Sequence, residues 1–197
     1  KAGDHVCCVI QGIAARLVRQ SLTGDVGVLC VCPAERALDL WEALTERGKP
    51  LGLTRVGWEA LNTARIEAGI PWFGIDMDES NLLPETGLET VAVSETKGCY
   101  LGQEIVARMQ TYGSASKKLM GLLIESSRGA EPGNRILRGS EEVGLVTSAC
   151  YSPTLGQSIA MGYLKRGSYD PGTRVEILAG DARLPAVVAT RPLVPSR

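Results

Sequence analysis

The sequence predicts an α+β fold in which a mixed strand–helix segment is followed by a small antiparallel β-barrel. Three observations predict it. Apolar residues recur at helical spacing over 34–47 and 57–68. Short β-like runs separated by turn signals fill the chain beyond Ser114. The first part reads as strand, helix, strand, helix, helix, which is no series of right-handed parallel crossovers.

Taken in order, Val6 to Gln11 is β-branched enough for a strand and ends at Gly12. Ile13 to Leu22 reads as a short helix with Leu17 and Val18 on one face, broken by Gly24. Val26 to Cys32 reads as a buried strand that Pro33 stops, and Pro33 sits where a helix can begin. In the helix over 34–47, Ala37, Leu40, Trp41 and Leu44 face inward, and Gly48 with Pro50 supplies the stop. The next helix, over 57–68, turns Trp58, Leu61, Ala64 and Ala68 inward and ends at Gly69 and Pro71. Residues 72–88, rich in Gly, Asp, Pro and Asn, form a long ordered loop, and a helix over 99–109 is entered through Gly98. Five β-like runs follow, over 119–125, 142–147, 159–165, 174–178 and 184–190. Glu131-Pro132-Gly133, Asp170-Pro171-Gly172 and Gly180-Asp181 punctuate them. The domain boundary is placed between 113 and 114, giving domains 1–113 and 114–197.

Composition narrows the function. The chain has 197 residues, 44% apolar and 22% charged, enough to bury roughly 70% of its unfolded surface. Lys and Arg number 21 against 22 Asp and Glu, so no basic face is imposed and direct nucleic-acid binding is not expected. No apolar run approaches the ~20 residues of a membrane span. The chain starts at Lys1 with no charged-then-apolar leader, and the absence of an initiator Met reads as a processed or partial chain. Six cysteines occur with no C-x-x-C spacing, so the expectation is reduced thiols and no local zinc or iron–sulfur ligand set. His5, the one histidine, has no second His with which to build a site.

The segment Lys97-Gly98-Cys99-Tyr100-Leu101-Gly102-Gln103-Glu104 carries the chemistry. Gly98 can take a positive φ and hold Cys99 at a sharp turn. A helix starting just after it, together with Lys97, would favour a thiolate. The alternative is a small buried hydrophobe beside Tyr100. From the residues alone both readings stand. Glu67 falls in the last turn of its helix, where the macrodipole disfavours a carboxylate; a solvated Glu or a pair with Arg65 is the plain alternative. Trp58 suits a core role better than stacking on a ligand. Tyr151 and Ser152 read as structural residues of a barrel turn, and Asp76, Asp78 and Glu79 as a solvated turn without calcium-loop spacing.

That octapeptide resembles the signature of the YgfZ-type folate-binding proteins, relatives of the glycine-cleavage aminomethyltransferase. The similarity continues through Ile105-Val106-Ala107-Arg108, through Arg65-Ile66-Glu67-Ala68-Gly69-Ile70-Pro71, and through Gly74-Ile75-Asp76 and Leu83-Pro84-Glu85. Downstream, Gly144-Leu145-Val146-Thr147-Ser148, Tyr151-Ser152-Pro153-Thr154 and Ala160-Met161-Gly162-Tyr163 resemble the family's terminal barrel. The resemblance implies the aminomethyltransferase folate-binding fold, with a ferredoxin-like α/β part before the barrel. It implies that tetrahydrofolate, or a one-carbon derivative, sits between those parts. Glu67 would hold the pterin through two parallel N–H bonds, and Arg108 would pair with the glutamate tail. Cys99 would supply the functional thiol, with Lys97, Gly98, Tyr100, Gly102, Gln103 and Glu104 in support.

The function so implied is an accessory protein rather than an enzyme, supporting iron–sulfur cluster assembly or repair in client enzymes, tRNA-modifying ones included. Its partners would be those clients or assembly factors, in a bacterial cytoplasm or a mitochondrial matrix. The alternative is a folate-dependent aminomethyltransferase or demethylase, a one-carbon transferase. Such relatives generally lack the Cys and use an aspartate from a further segment, on the order of a hundred residues, that precedes the part matched here.

Overall fold

The structure, a computed structural model, describes residues 3–94, 96–112 and 115–195, with the backbone alone for 108–112. Two compact units divide between Arg65 and Ile66.

The first unit holds a three-stranded antiparallel sheet in the order β1 (His5–Ile10), β2 (Ile13–Arg19), β3 (Val28–Val31). Residues 13–19 therefore form a strand, not the expected helix. The cause lies in the two residues before it. Gln11 and Gly12 have φ of 49° and 76°, the double left-handed step of a two-residue hairpin turn, and Ile10 pairs directly with Ile13. Once paired, Ile13 and Ala15 point inward while Ala14 and Arg16 point out. Pairing overrides the helical preference of Ala-Ala-Arg-Leu. Helix α1 (Ala37–Gly48) follows a single 3-10 turn at Ala34–Arg36 and lays Leu40 and Leu44 on Ile13 and Ala15.

Several burial expectations fail in this unit. β3 is exposed at all four residues, because it is an edge strand and α1 covers Ile13 and Ala15 on β2. Trp41 is 52% exposed, since the buried stripe of α1 runs through Leu40 and Ala43 instead. Trp58, at the first position of α2 (Trp58–Glu67), is 65% exposed and is not a core residue. Burial on that helix concentrates at Arg65 and Ile66, in its last turn.

The second unit contains α3 (Leu83–Thr86), α4 (Glu89–Ala92), α5 (Gln103–Tyr112) and a closed barrel. Its strands are β4 (Lys117–Ile124), β5 (Arg135–Arg138), β6 (Glu141–Ser152), β7 (Gln157–Lys165), β8 (Arg174–Ala179) and β9 (Ala182–Ala189). The order around the barrel is β4-β7-β6-β5-β8-β9, antiparallel throughout, and β4–β9 pairing closes it. Closure leaves no open edge. The five expected runs are all strands. β5 is the addition: four residues, Arg-Ile-Leu-Arg, too short to show a period. Leu122, Ile124, Ile136, Val146, Leu164 and Ile177 fill the barrel. A second cluster packs Ile66 on Leu119, Ile159 and Met161. Ile66 thereby fixes the residue after it, Glu67, against the barrel wall.

Among the described residues, no helix is long and apolar enough to cross a membrane.

Candidate functional site

Glu67 is held at both its main chain and its side chain. The helix stops because Gly69 adopts φ 66° and its N–H returns to the Ile66 carbonyl. The carbonyl of Glu67 would then be orphaned at a helix C-terminus. It accepts instead from the N–H groups of Leu193 and Val194, each at 2.9 Å. Two residues earlier on the same strap, Arg191 Nη1 donates to the Gly69 carbonyl at 2.9 Å and Nη2 to the Thr86 carbonyl. The guanidinium also sets a positive charge against the negative helix end. Burial lowers the Arg191 pKa, opposed by Tyr163, Asp76 and Glu89.

The Glu67 side chain meets the turn between β6 and β7. Ser152 Oγ donates to Oε1 at 2.5 Å, Thr154 Oγ1 to Oε2 at 3.0 Å, and the Thr154 N–H to Oε1 at 3.4 Å. Ser152 is fully buried and also accepts from Leu155 N at 3.0 Å, whereas Thr154 is on the surface. An ionised carboxylate has about four acceptor sites. Two strong donors and one long one, the Thr154 N–H at 3.4 Å, leave part of that capacity for a ligand N–H. Arg65 Nε donates to Asn62 Oδ1 at 2.8 Å.

The Cys99 segment differs in detail from the expectation. Gly98 is absent from the positive-φ glycines, and the left-handed step falls at Gly102, φ 87°. α5 begins at Gln103, four residues beyond the thiol, so Cys99 does not sit on the helix N-terminus. Cys99 is exposed, and so are Lys97, Leu101, Gln103 and Glu104. Lys97 Nζ lies 4.6 Å from the Tyr100 ring centre, a cation–π contact. The side chain of Arg108 lies outside the described residues.

The loop 72–88 conceals residues that sequence reasoning misread. Asp76, expected in a solvated turn, is 2% exposed. Its Oδ1 accepts from Thr147 Oγ1 at 2.7 Å and Ser148 Oγ at 2.6 Å, and its Oδ2 from Trp72 N at 3.0 Å. The loop is thus riveted to β6 by a charge whose acceptor sites are nearly filled. Asp78 remains exposed, with hydrogen bonds from Ser80 lowering its pKa. Glu85, also buried, accepts from Leu82 N and Ser116 Oγ and faces Lys117 Nζ at 3.6 Å. Beside this loop a cavity of about 210 Å³ is lined by Asp76, Asp78, Asn81, Thr147 and Tyr163. The Tyr163 hydroxyl is buried, and among the described residues it has no hydrogen-bond partner. Burial, then Glu85, pushes its pKa up to about 12.

None of the six cysteines is in a disulfide. Burial, with Cys8 and Cys32 nearby, raises the Cys30 pKa. Among the described residues no group of three or more His, Cys, Asp or Glu is arranged to hold a metal ion.

Two family models match the chain. Residues 4–96 match the GCVT N-terminal domain, and residues 117–195 match the glycine cleavage T-protein C-terminal barrel domain. The aminomethyltransferase of Streptomyces avermitilis is 36% identical over 167 residues, 83% of this chain and 45% of that protein. That of Nostoc sp. is 31% identical over 193 residues, 98% of this chain and 50% of that protein. The crystal structure of the glycine cleavage system aminomethyltransferase T from Bartonella henselae superposes with a TM-score of 0.81 at 22% identity. It is covered over 50% of its length by 93% of this chain, and at that identity it shows the fold. The chain therefore spans about half the length of the relatives it matches.

Proposed function

Because this chain belongs to the glycine cleavage T-protein family, we propose that it binds tetrahydrofolate or a one-carbon derivative and serves folate-dependent aminomethyl transfer. The carrying observation is the immobilised Glu67 carboxylate at the end of α2. A carboxylate so fixed suits the paired N–H groups of a pterin, since two parallel charge-assisted bonds give both strength and orientation. Arg108, on α5, is proposed to take the glutamate tail. The proposed boundary at 113–114 lies in the interval between the two matched regions. Calorimetric titration of tetrahydrofolate into the protein and into Glu67→Ala tests the binding assignment; equal affinities refute it. Formation of methylene-tetrahydrofolate from an aminomethylated carrier tests the activity.

A second reading is favoured by one observation: Cys99 is exposed within the Lys-Gly-Cys-Tyr-x-Gly-Gln-Glu segment. An accessible thiol in that signature supports the YgfZ-type role, in which a folate-bound accessory protein assists iron–sulfur cluster assembly or repair in client enzymes, tRNA-modifying ones included. The proposed setting is a bacterial cytoplasm or a mitochondrial matrix. Complementation of a deletion strain separates the readings. Full recovery of iron–sulfur enzyme activity by Cys99→Ala removes the thiol's role.

A further inference from the structure

We propose that Ser152 and Thr154 are positioning residues for ligand binding, acting through Glu67 to fix the plane and direction of its carboxylate; the proposal rests on the assignment of Glu67 to the folate. The turn that carries them lies 85 and 87 residues away in sequence, yet it reaches both carboxylate oxygens. Ser152, a buried residue, donates to Oε1 at 2.5 Å, and Thr154, an exposed one, donates to Oε2 at 3.0 Å. Donors on different oxygens stop rotation about the terminal bond, which is otherwise broad and soft. The main chain is already clamped by Leu193 and Val194.

A free glutamate loses rotamer freedom when it is immobilised. Here that cost is met during folding, before any ligand arrives. Binding then needs no reordering of the carboxylate, and its unused acceptor sites keep one direction. A solvated glutamate would need none of these four contacts.

The test titrates 5-formyltetrahydrofolate, an air-stable probe, into the 197-residue protein by calorimetry. Variants are Ser152→Ala, Thr154→Val, Thr154→Ser, Glu67→Gln and the double variant Ser152→Ala/Glu67→Gln. Ser152→Ala and Thr154→Val should each weaken binding about tenfold, the equivalent of one ordering or hydrogen-bond contribution. Thr154→Ser, which keeps the hydroxyl, should bind within about twofold of the parent. Thr154 is on the surface, so its variants keep the test open even if Ser152→Ala folds poorly.

In the Glu67→Gln background the Ser152→Ala change should add nothing, because its effect passes through the carboxylate. An additional loss there would mean that the turn acts on the ligand or the barrel directly, and would overturn the proposal. Parent-like binding by Thr154→Val, with Glu67→Gln impaired, would also overturn it while leaving the folate reading intact. Parent-like binding by Glu67→Gln, or none by the parent, would remove the folate role of Glu67 and this inference with it.

Discussion

Ser152 Oγ and Glu67 Oε1 stand 2.5 Å apart across 85 residues of sequence, joining the end of α2 to the turn between β6 and β7. Ser152 is 0% exposed, so its hydroxyl has given up water for this carboxylate. Replacing it by alanine removes a hydrogen bond to a charged group and leaves the Leu155 N–H without its acceptor. The expected loss is about 2 kcal/mol of unfolding free energy, read from urea denaturation. A change within experimental scatter would mean the bond contributes nothing.

Asp76 performs a similar task for the loop before α3. It gathers Thr147, Ser148 and Trp72, more than seventy residues apart in the first two cases. Asp76→Ala would take a charged acceptor from three donors at once and should cost about 3 kcal/mol or more. Asp76→Asn keeps one carbonyl acceptor and should fall between that variant and the parent. Thermal unfolding of the three proteins ranks them.

Tyr163 predicts the alkaline behaviour. Its phenol is held protonated up to about 12 in the folded chain, whereas an unfolded tyrosine ionises near ~10. Below pH 10 both states keep the proton and the contribution to stability is intact. As pH rises from 10 towards 12 the unfolded state ionises first, so stability falls. Tyr163→Phe should flatten that part of the pH–stability curve. At pH 7 it should be neutral or stabilising by up to about 1 kcal/mol, because a hydroxyl without a partner is removed. An unchanged alkaline limb would contradict this account.

Two glycines separate local strain from packing. Gly12 has φ 76° with open space where a Cβ would go, so Gly12→Ala should cost about 1 kcal/mol from the left-handed backbone alone. Gly69 has φ 66° and would place a Cβ 2.6 Å from Arg191 Cβ. Gly69→Ala must also displace the strap that caps Glu67, and should cost at least about 2 kcal/mol. Chemical denaturation of the pair reads the difference; equal losses would mean the strap yields freely.

The barrel was legible because its strands are bounded by turn residues with a clear physical function, such as Pro132-Gly133 and Pro171-Gly172. The first hairpin was not. Ala-Ala-Arg-Leu over 14–17 suits a helix, and the deciding feature, a left-handed Gln11 before Gly12, leaves no mark in a non-glycine residue. The place of Glu67 at a helix end was legible from the Gly69 and Pro71 that follow it. Its partners were not, since a serine and a threonine flanking Pro153 announce only a turn. Asp76 was misread for the same reason: two hydroxyl donors remote in sequence, Thr147 and Ser148, convert a loop carboxylate into a buried rivet. Gly98 shows a subtler limit, for the sequence places the bend there and the fold puts its left-handed step at Gly102.

The most direct measurement is a crystal structure of the protein with 5-formyltetrahydrofolate. The account predicts pterin N–H groups within about 3.2 Å of both Glu67 oxygens, with Ser152 and Thr154 still donating to the same carboxylate. A pterin bound elsewhere, or a Glu67 contacted only by the turn in the complex, would contradict it.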